Sequence, residues 1–201
     1  MKLSKFSKAI PLIALILLSV TLQTPTRAGQ NASMEPGLRG VDYFVNHTSI
    51  DPFYTNNAID PGVLLHIREV VARGRERTAG KDNKIILLIH GSTFPASVAF
   101  DLPGGSMMQA LARAGWDVFA LDLEGYGEST RPPSMDHPAL YAGATAPVGP
   151  AVSLADVVRA VDFIRDLRGV EKVHLLGWSA GAMNEVPRFP STIRRKREKS
   201  S

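Results

Sequence analysis

The 201-residue chain contains no cysteine, so neither a disulfide framework nor a thiolate nucleophile or thiolate metal site is available to it. Long apolar runs are scarce as well. The most apolar stretch, residues 10–20, carries a proline and falls short of the roughly 20 residues needed to cross a bilayer. There is no internal repeat, and no surplus of positive charge in the body of the chain. The positive charge sits at the two ends: residues 1–27 carry +4 and residues 188–201 carry +5, against +4 for the whole chain, which leaves −5 in between. A mildly acidic body argues against a nucleic-acid groove, and no stable membrane span is expected. No cofactor or metal signature is present, and the oligomeric state is not legible.

What the chain does have at its N-terminus is a short leader pattern. Lys2, Lys5 and Lys8 precede the apolar run, and Thr26-Arg27-Ala28 places small residues at −3 and −1 of a cleavage site. Residues 1–28 are therefore expected to be a secretory signal peptide, and the protein to be exported, periplasmic or extracellular. Residues 29–60 are rich in Gly, Asn, Pro and Asp, and are expected to be irregular apart from a first strand at 41–45. Residues 61–186 form the expected domain, and the cationic, aperiodic residues 187–201 a disordered tail.

Within the domain the apolar pattern alternates between strand and helix periods. Residues 63–71 read as a strand, 73–83 as a polar, hairpin-like connection, and the unbroken run Ile85, Ile86, Leu87, Leu88, Ile89 as a strand buried on both faces. A helix is expected over 106–114, stopped by Gly115, then a second buried strand over 116–121. After a Pro/Gly-rich loop from 124 to 150, Ser153 is expected to open a helix with Asp156 as its capping partner and Gly169 as its stop. Residues 173–176 form the next strand. Strands alternating with helices imply a parallel sheet in a layered α/β fold.

That last strand runs directly into Gly177-Trp178-Ser179-Ala180-Gly181. A Gly-x-Ser-x-Gly pentapeptide between a strand and a helix is the pattern of a nucleophile elbow: a sharp turn that holds the serine at its tip, with the helix N-terminus beside it. Two other segments also follow buried strands. His90-Gly91-Ser92-Thr93-Phe94-Pro95 follows the first, and Asp122-Leu123-Glu124-Gly125-Tyr126-Gly127-Glu128-Ser129 follows the second. The ends of parallel strands are where α/β sheets place their chemistry.

These three motifs, in this order, resemble those of the α/β-hydrolase fold superfamily, over about residues 63–183. The 122–130 loop is similar to that of its esterase, epoxide-hydrolase and haloalkane-dehalogenase branch, and a serine at the elbow is similar to its esterase, lipase and peptidase members. The resemblance implies an incomplete α/β-hydrolase fold, with a mostly parallel sheet of about five strands, flanking helices and the later strands missing. It implies Ser179 as nucleophile of a carboxylic-ester or related acyl hydrolase, acting on a small-molecule ester or acyl substrate. The oxyanion hole would be the backbone N–H of Ala180 together with that of Ser92 or Thr93. His90 and Gly91 would shape the loop, with His90 structural, and Gly177 and Gly181 would give the elbow its close approach. Asp122 and Glu124 are read as fixing their loop. His174 is read as a core or edge residue, and His47, His66 and His137 as ordinary histidines with no constellation around them.

The family's triad runs Ser, then Asp or Glu, then His, whereas the residues after Ser179 hold Glu185 and Glu198 and no histidine. The expectation is a C-terminally truncated reading of a secreted serine α/β hydrolase, through a frameshift or premature stop near Asn184, weakly active or inactive. The alternative is a non-catalytic binding or interaction module on the same scaffold.

Overall fold

A computed structural model describes residues 33–50, 62–132, 135 and 148–185. The expected signal peptide, the tail 187–201, His137 and most of the loop between 133 and 147 lie outside the described residues.

Two long strands open the fold. Strand β1 (Leu38–Thr48) pairs antiparallel with β2 (Gly62–Ala72) along its whole length, from Leu38 opposite Ala72 to Thr48 opposite Gly62. The next elements are β3 (Ile85–Ile89), a short helix α1 (Ala96–Phe100), α2 (Met107–Arg113) and β4 (Asp117–Leu121). Then come α3 (Pro150–Arg168), β5 (His174–Gly177) and a turn of wide helix over Gly181–Glu185. The described strands form one sheet in the order β1-β2-β4-β3-β5, with β3 parallel to both β4 and β5 and β2 antiparallel to β4.

The period of two along β3 builds two cores. Ile85, Leu87 and Ile89 join Leu65, Ile67, Phe119 and Leu121 under the apolar stripe of α3, made by Val157, Ala160, Val161 and Ile164. Ile86 and Leu88 join Val70, Val118 and Ala120 under Phe100 of α1 and Met108 and Ala112 of α2. A fully buried aliphatic side chain contributes about 1.5–3 kcal/mol, so a five-residue strand with no exposed position is a large stabilising unit for its length. Its direction fixes the site: His90 and Gly91 leave β3, and Trp178 and Ser179 leave β5, at the same edge of the sheet.

Three local expectations are corrected. Residues 73–83 do not make a hairpin, because β4 lies between β2 and β3. They cross that strand through a tight turn at Arg75–Arg77, with Ala79 buried beneath. Helix α3 begins at Pro150, not Ser153; proline's fixed φ and missing N–H suit a first helical position. Asp156 is not a capping partner of Ser153 but accepts the Glu124 N–H at 2.9 Å, tying the loop after β4 to α3. Gly169 ends the helix at φ 64°, a left-handed value that glycine adopts without cost.

At the far end of the sheet, Arg168 closes α3 onto two buried carboxylates. Its guanidinium donates to Asp117 at 2.6 Å and Glu69 at 2.7 Å, and Tyr43 donates to Glu69 at 2.6 Å. This cluster joins β1, β2, β4 and α3, and lies away from the Ser179 edge.

Candidate active site

Ser179 stands at φ 53°, in the left-handed region, at the tip of the turn between β5 and the helical turn that follows. Asn83 is the other described non-glycine residue with positive φ. A serine held there costs on the order of 1–3 kcal/mol and persists only where its surroundings impose it. The constraints are visible. The Trp178 N–H donates to the Ile89 carbonyl at 2.9 Å, continuing the pairing of β5 with β3 up to the residue before the serine. The Ser179 carbonyl accepts from Ala182 at 3.0 Å and Met183 at 3.1 Å, which starts the helical turn.

Glycines make the bend sterically feasible. A Cβ on Gly177 would fall 2.5 Å from the backbone of Gly181 and Ala182, and one on Gly181 would fall 2.6 Å from the carbonyl oxygens of Ile89 and His90. Both approaches are closer than side-chain carbons tolerate, so these positions accept only glycine at this geometry. Gly91 is pressed against the serine itself: a Cβ there would sit 2.8 Å from the Ser179 Cβ and 3.1 Å from its Oγ. The loop after β3 thus abuts the serine. Ser92 and Thr93 continue from Gly91 as exposed bends, Ser179 is exposed, and Ala180 is half-buried.

His90 is fully buried, and both its ring nitrogens are engaged. Leu123 donates its N–H to Nε2 at 3.1 Å, so Nε2 is the acceptor and Nδ1 carries the proton that goes to the Gly91 carbonyl at 2.6 Å. Burial pushes its pKa below the usual histidine value, which keeps the ring neutral as this arrangement requires. His90 has no free nitrogen with which to take a proton from Ser179.

Asp122 is the keystone of the loop after β4. Its Oδ1 accepts the Ala96 N–H at 2.7 Å, at the start of α1, and its Oδ2 accepts the Glu128 N–H at 3.1 Å. Gly127 lies over this carboxylate so closely that a Cβ would overlap it. The loop-fixing reading of Asp122 therefore matches the geometry. Glu124 is buried, takes the Ser49 hydroxyl at 3.0 Å, and is likewise enclosed.

The reading of His66 as an isolated histidine is corrected. Its Nδ1 faces Asp122 Oδ2 at 2.8 Å and its Nε2 faces Asp42 Oδ1 at 3.0 Å, while Arg68 bridges Asp42 and Asp101. Burial alone would lower its pKa; the hydrogen bonds and charges of Asp122 and Asp42 outweigh it and raise the value to about 9. Strand alternation in 63–71 placed His66 in a strand but gave no sign of partners 24 and 56 residues away. His47 is corrected in the same way, lying 3.3 Å from the buried Asp156. His174, by contrast, is an exposed edge residue bonded to the Asn83 carbonyl at 2.9 Å. Tyr126, not singled out from sequence, packs its ring at a tilt against His90 with centroids 4.8 Å apart and donates its hydroxyl to the Ser92 carbonyl at 2.8 Å.

Among the described residues no group of three or more acidic or histidine side chains is placed to hold a metal ion, and no helix is long and apolar enough to cross a membrane.

Comparison with curated proteins finds no match. Among solved structures, the chain is similar to an epoxide hydrolase from Vigna radiata, with 19% identity and a TM-score of 0.42 over 71% of this chain and 33% of that one. It is similar to a thioesterase domain from the curacin biosynthetic pathway, with 19% identity and a TM-score of 0.47 over 72% and 39%. It is also similar to a putative aryl esterase from Burkholderia cenocepacia, with 21% identity and a TM-score of 0.40 over 70% and 38%. The chain spans 33–39% of the length of these three structures. Residues 84–184, from just before β3 to the turn after Ser179, match the sequence pattern of the alpha/beta hydrolase fold. The chain belongs to the alpha/beta hydrolase fold family.

Proposed function

We propose that the chain carries the nucleophile half of a serine acyl hydrolase, cleaving a carboxylic ester or related acyl substrate through an acyl-enzyme on Ser179. The observation that supports this most is the pairing of a left-handed, exposed Ser179 with Gly91 pressed against its Oγ. A strained serine in contact with a loop of unencumbered backbone has no role in packing that glycine would not fill at lower cost.

In this reading Oγ attacks the substrate carbonyl carbon and its proton passes to a base. The tetrahedral oxyanion is met by the Ala180 N–H and by that of Ser92 or Thr93. Collapse expels the alcohol or thiol, which takes up a proton, and water then cleaves the acyl-serine. Each aimed N–H contributes about 100- to 1,000-fold. Among the described residues none offers a base at Ser179, since both ring nitrogens of His90 are committed. A site of this kind deprived of its base would retain about 10³–10⁴-fold acceleration over water. The observation that favours the second reading, a binding module on a hydrolase scaffold, is that His90, beside Ser179's neighbour Gly91, is engaged at both nitrogens and takes no proton.

Hydrolysis of p-nitrophenyl acetate by the parent chain and by Ser179→Ala separates the two. Turnover above background that disappears in Ser179→Ala supports the acyl-hydrolase reading; equal rates in both discard it. Export of the protein is part of the same proposal, and N-terminal sequencing of secreted material, with a new terminus after Ala28 expected, tests it.

A further inference from the structure

We propose that Tyr126 is a positioning residue that sets the direction of the Thr93 N–H, one of the two candidates for the second donor of the oxyanion site. The inference rests on the acyl-transfer reading of Ser179 and deepens it. A peptide unit is planar and trans, so its C=O and N–H point in opposite directions within one rigid plane. The Ser92 carbonyl and the Thr93 N–H belong to the same unit. By holding that carbonyl at 2.8 Å, the Tyr126 hydroxyl also fixes where the Thr93 N–H points, namely away from the 122–130 loop.

Tyr126 is itself anchored well enough to do this. Its N–H donates to the Leu123 carbonyl at 2.9 Å and its carbonyl accepts from Ser129 at 3.0 Å. Gly125 at φ 83° and Gly127 at φ 52° bracket it, and Gly127 is pinned against Asp122. The ring packs on the core under α3 and against His90, which holds the base of the side chain while its hydroxyl reaches the exposed Ser92 carbonyl. Ser92 and Thr93, by contrast, are exposed bends outside any helix or strand. The preceding peptide is held in the same manner, by His90 Nδ1 on the Gly91 carbonyl. Two successive peptide planes beside Ser179 are thus oriented by side chains from below, and Tyr126 holds the outer one.

The test uses the full chain and three variants, Tyr126→Phe, Tyr126→Leu and Ser179→Ala. Tyr126→Phe keeps the ring and removes the donor. It is expected to lower kcat for p-nitrophenyl acetate by about 3- to 10-fold, the value of one hydrogen bond, with KM unchanged. In parallel, the ¹⁵N order parameter of Thr93 is expected to fall from about 0.85 to below about 0.6 in Tyr126→Phe. An unaltered Thr93 order parameter overturns the proposal whether or not Ser179 turns over ester. A raised KM with kcat intact also overturns it, since the tyrosine would then serve substrate binding. Loss of kcat only in Tyr126→Leu, together with lost stability, reduces Tyr126 to packing and overturns it as well. If Ser179→Ala hydrolyses ester as fast as the parent, the acyl-transfer reading falls and the catalytic part of this proposal with it, while a loosened Thr93 still upholds the anchoring of the peptide.

Discussion

Gly91 touches Ser179: a Cβ built on the glycine lies 3.1 Å from the serine Oγ and 2.8 Å from its Cβ. Gly91→Ala must therefore displace either the loop after β3 or the elbow. Overpacking of this kind costs about 1–3 kcal/mol. We expect the urea midpoint to drop accordingly and ester hydrolysis to fall more than about tenfold, because a sub-ångström shift of donor or nucleophile is expensive in rate. A Gly91→Ala protein with parent stability and parent turnover would show that the two segments are not in contact.

On the acyl-transfer proposal, the left-handed φ of Ser179 sets stability against chemistry at one residue. Ser179→Gly removes the side chain that disfavours this conformation and should raise unfolding free energy by about 1 kcal/mol while abolishing acyl transfer. Ser179→Ala should abolish acyl transfer with little change in stability. Denaturant titration of the three proteins checks the order glycine, then serine and alanine together.

Gly181→Ala forces a methyl carbon onto the carbonyl oxygens of Ile89 and His90, at 2.6 Å in the present geometry. No side-chain rotation relieves a clash with backbone. A loss of more than about 2 kcal/mol is expected, within the range of strongly destabilising core changes. Circular dichroism melting should show it, and an unchanged midpoint would contradict the close packing of the elbow on β3.

The His66 cluster gives the fold an alkaline limit. Its pKa is raised to about 9 in the folded protein, from about 6.5 in an unfolded chain, by Asp122 and Asp42, with Arg68 also on Asp42. A folded value above the unfolded one means that this stabilisation is fully present below about pH 6.5 and disappears as pH rises through about 9. The difference corresponds to at most about 3 kcal/mol. Urea midpoints measured from pH 6 to 10 should decline through that window in the parent and run flatter in His66→Gln. Parallel profiles would refute the ion-paired state of His66.

The parts of the structure legible in the sequence were those written locally. Five consecutive apolar residues at 85–89 could only be a strand buried on both faces, and the glycines at 177 and 181 around Ser179 announced a bend too tight for side chains. Gly169 stopped its helix as read. What was not legible depended on contacts between distant segments. The placing of β4 between β2 and β3 is a pairing of distant segments, and a polar 73–83 segment looks the same whether it closes a hairpin or crosses a strand. His66 and Tyr126 look ordinary in sequence because their partners, Asp122 and the Ser92 carbonyl, are brought to them only by the sheet. Ser153 beside Asp156 imitated a capping box, yet Pro150 supplied the helix start and Asp156 was taken by the Glu124 N–H.

The central claim, that Ser179 is an acyl acceptor, is tested most directly by peptide mass analysis after brief exposure to p-nitrophenyl acetate and acid quench. The account predicts one acetyl group on the peptide containing Ser179, absent from Ser179→Ala and reduced in Gly91→Ala. Acetylation confined to lysines and identical in the parent and Ser179→Ala would contradict it.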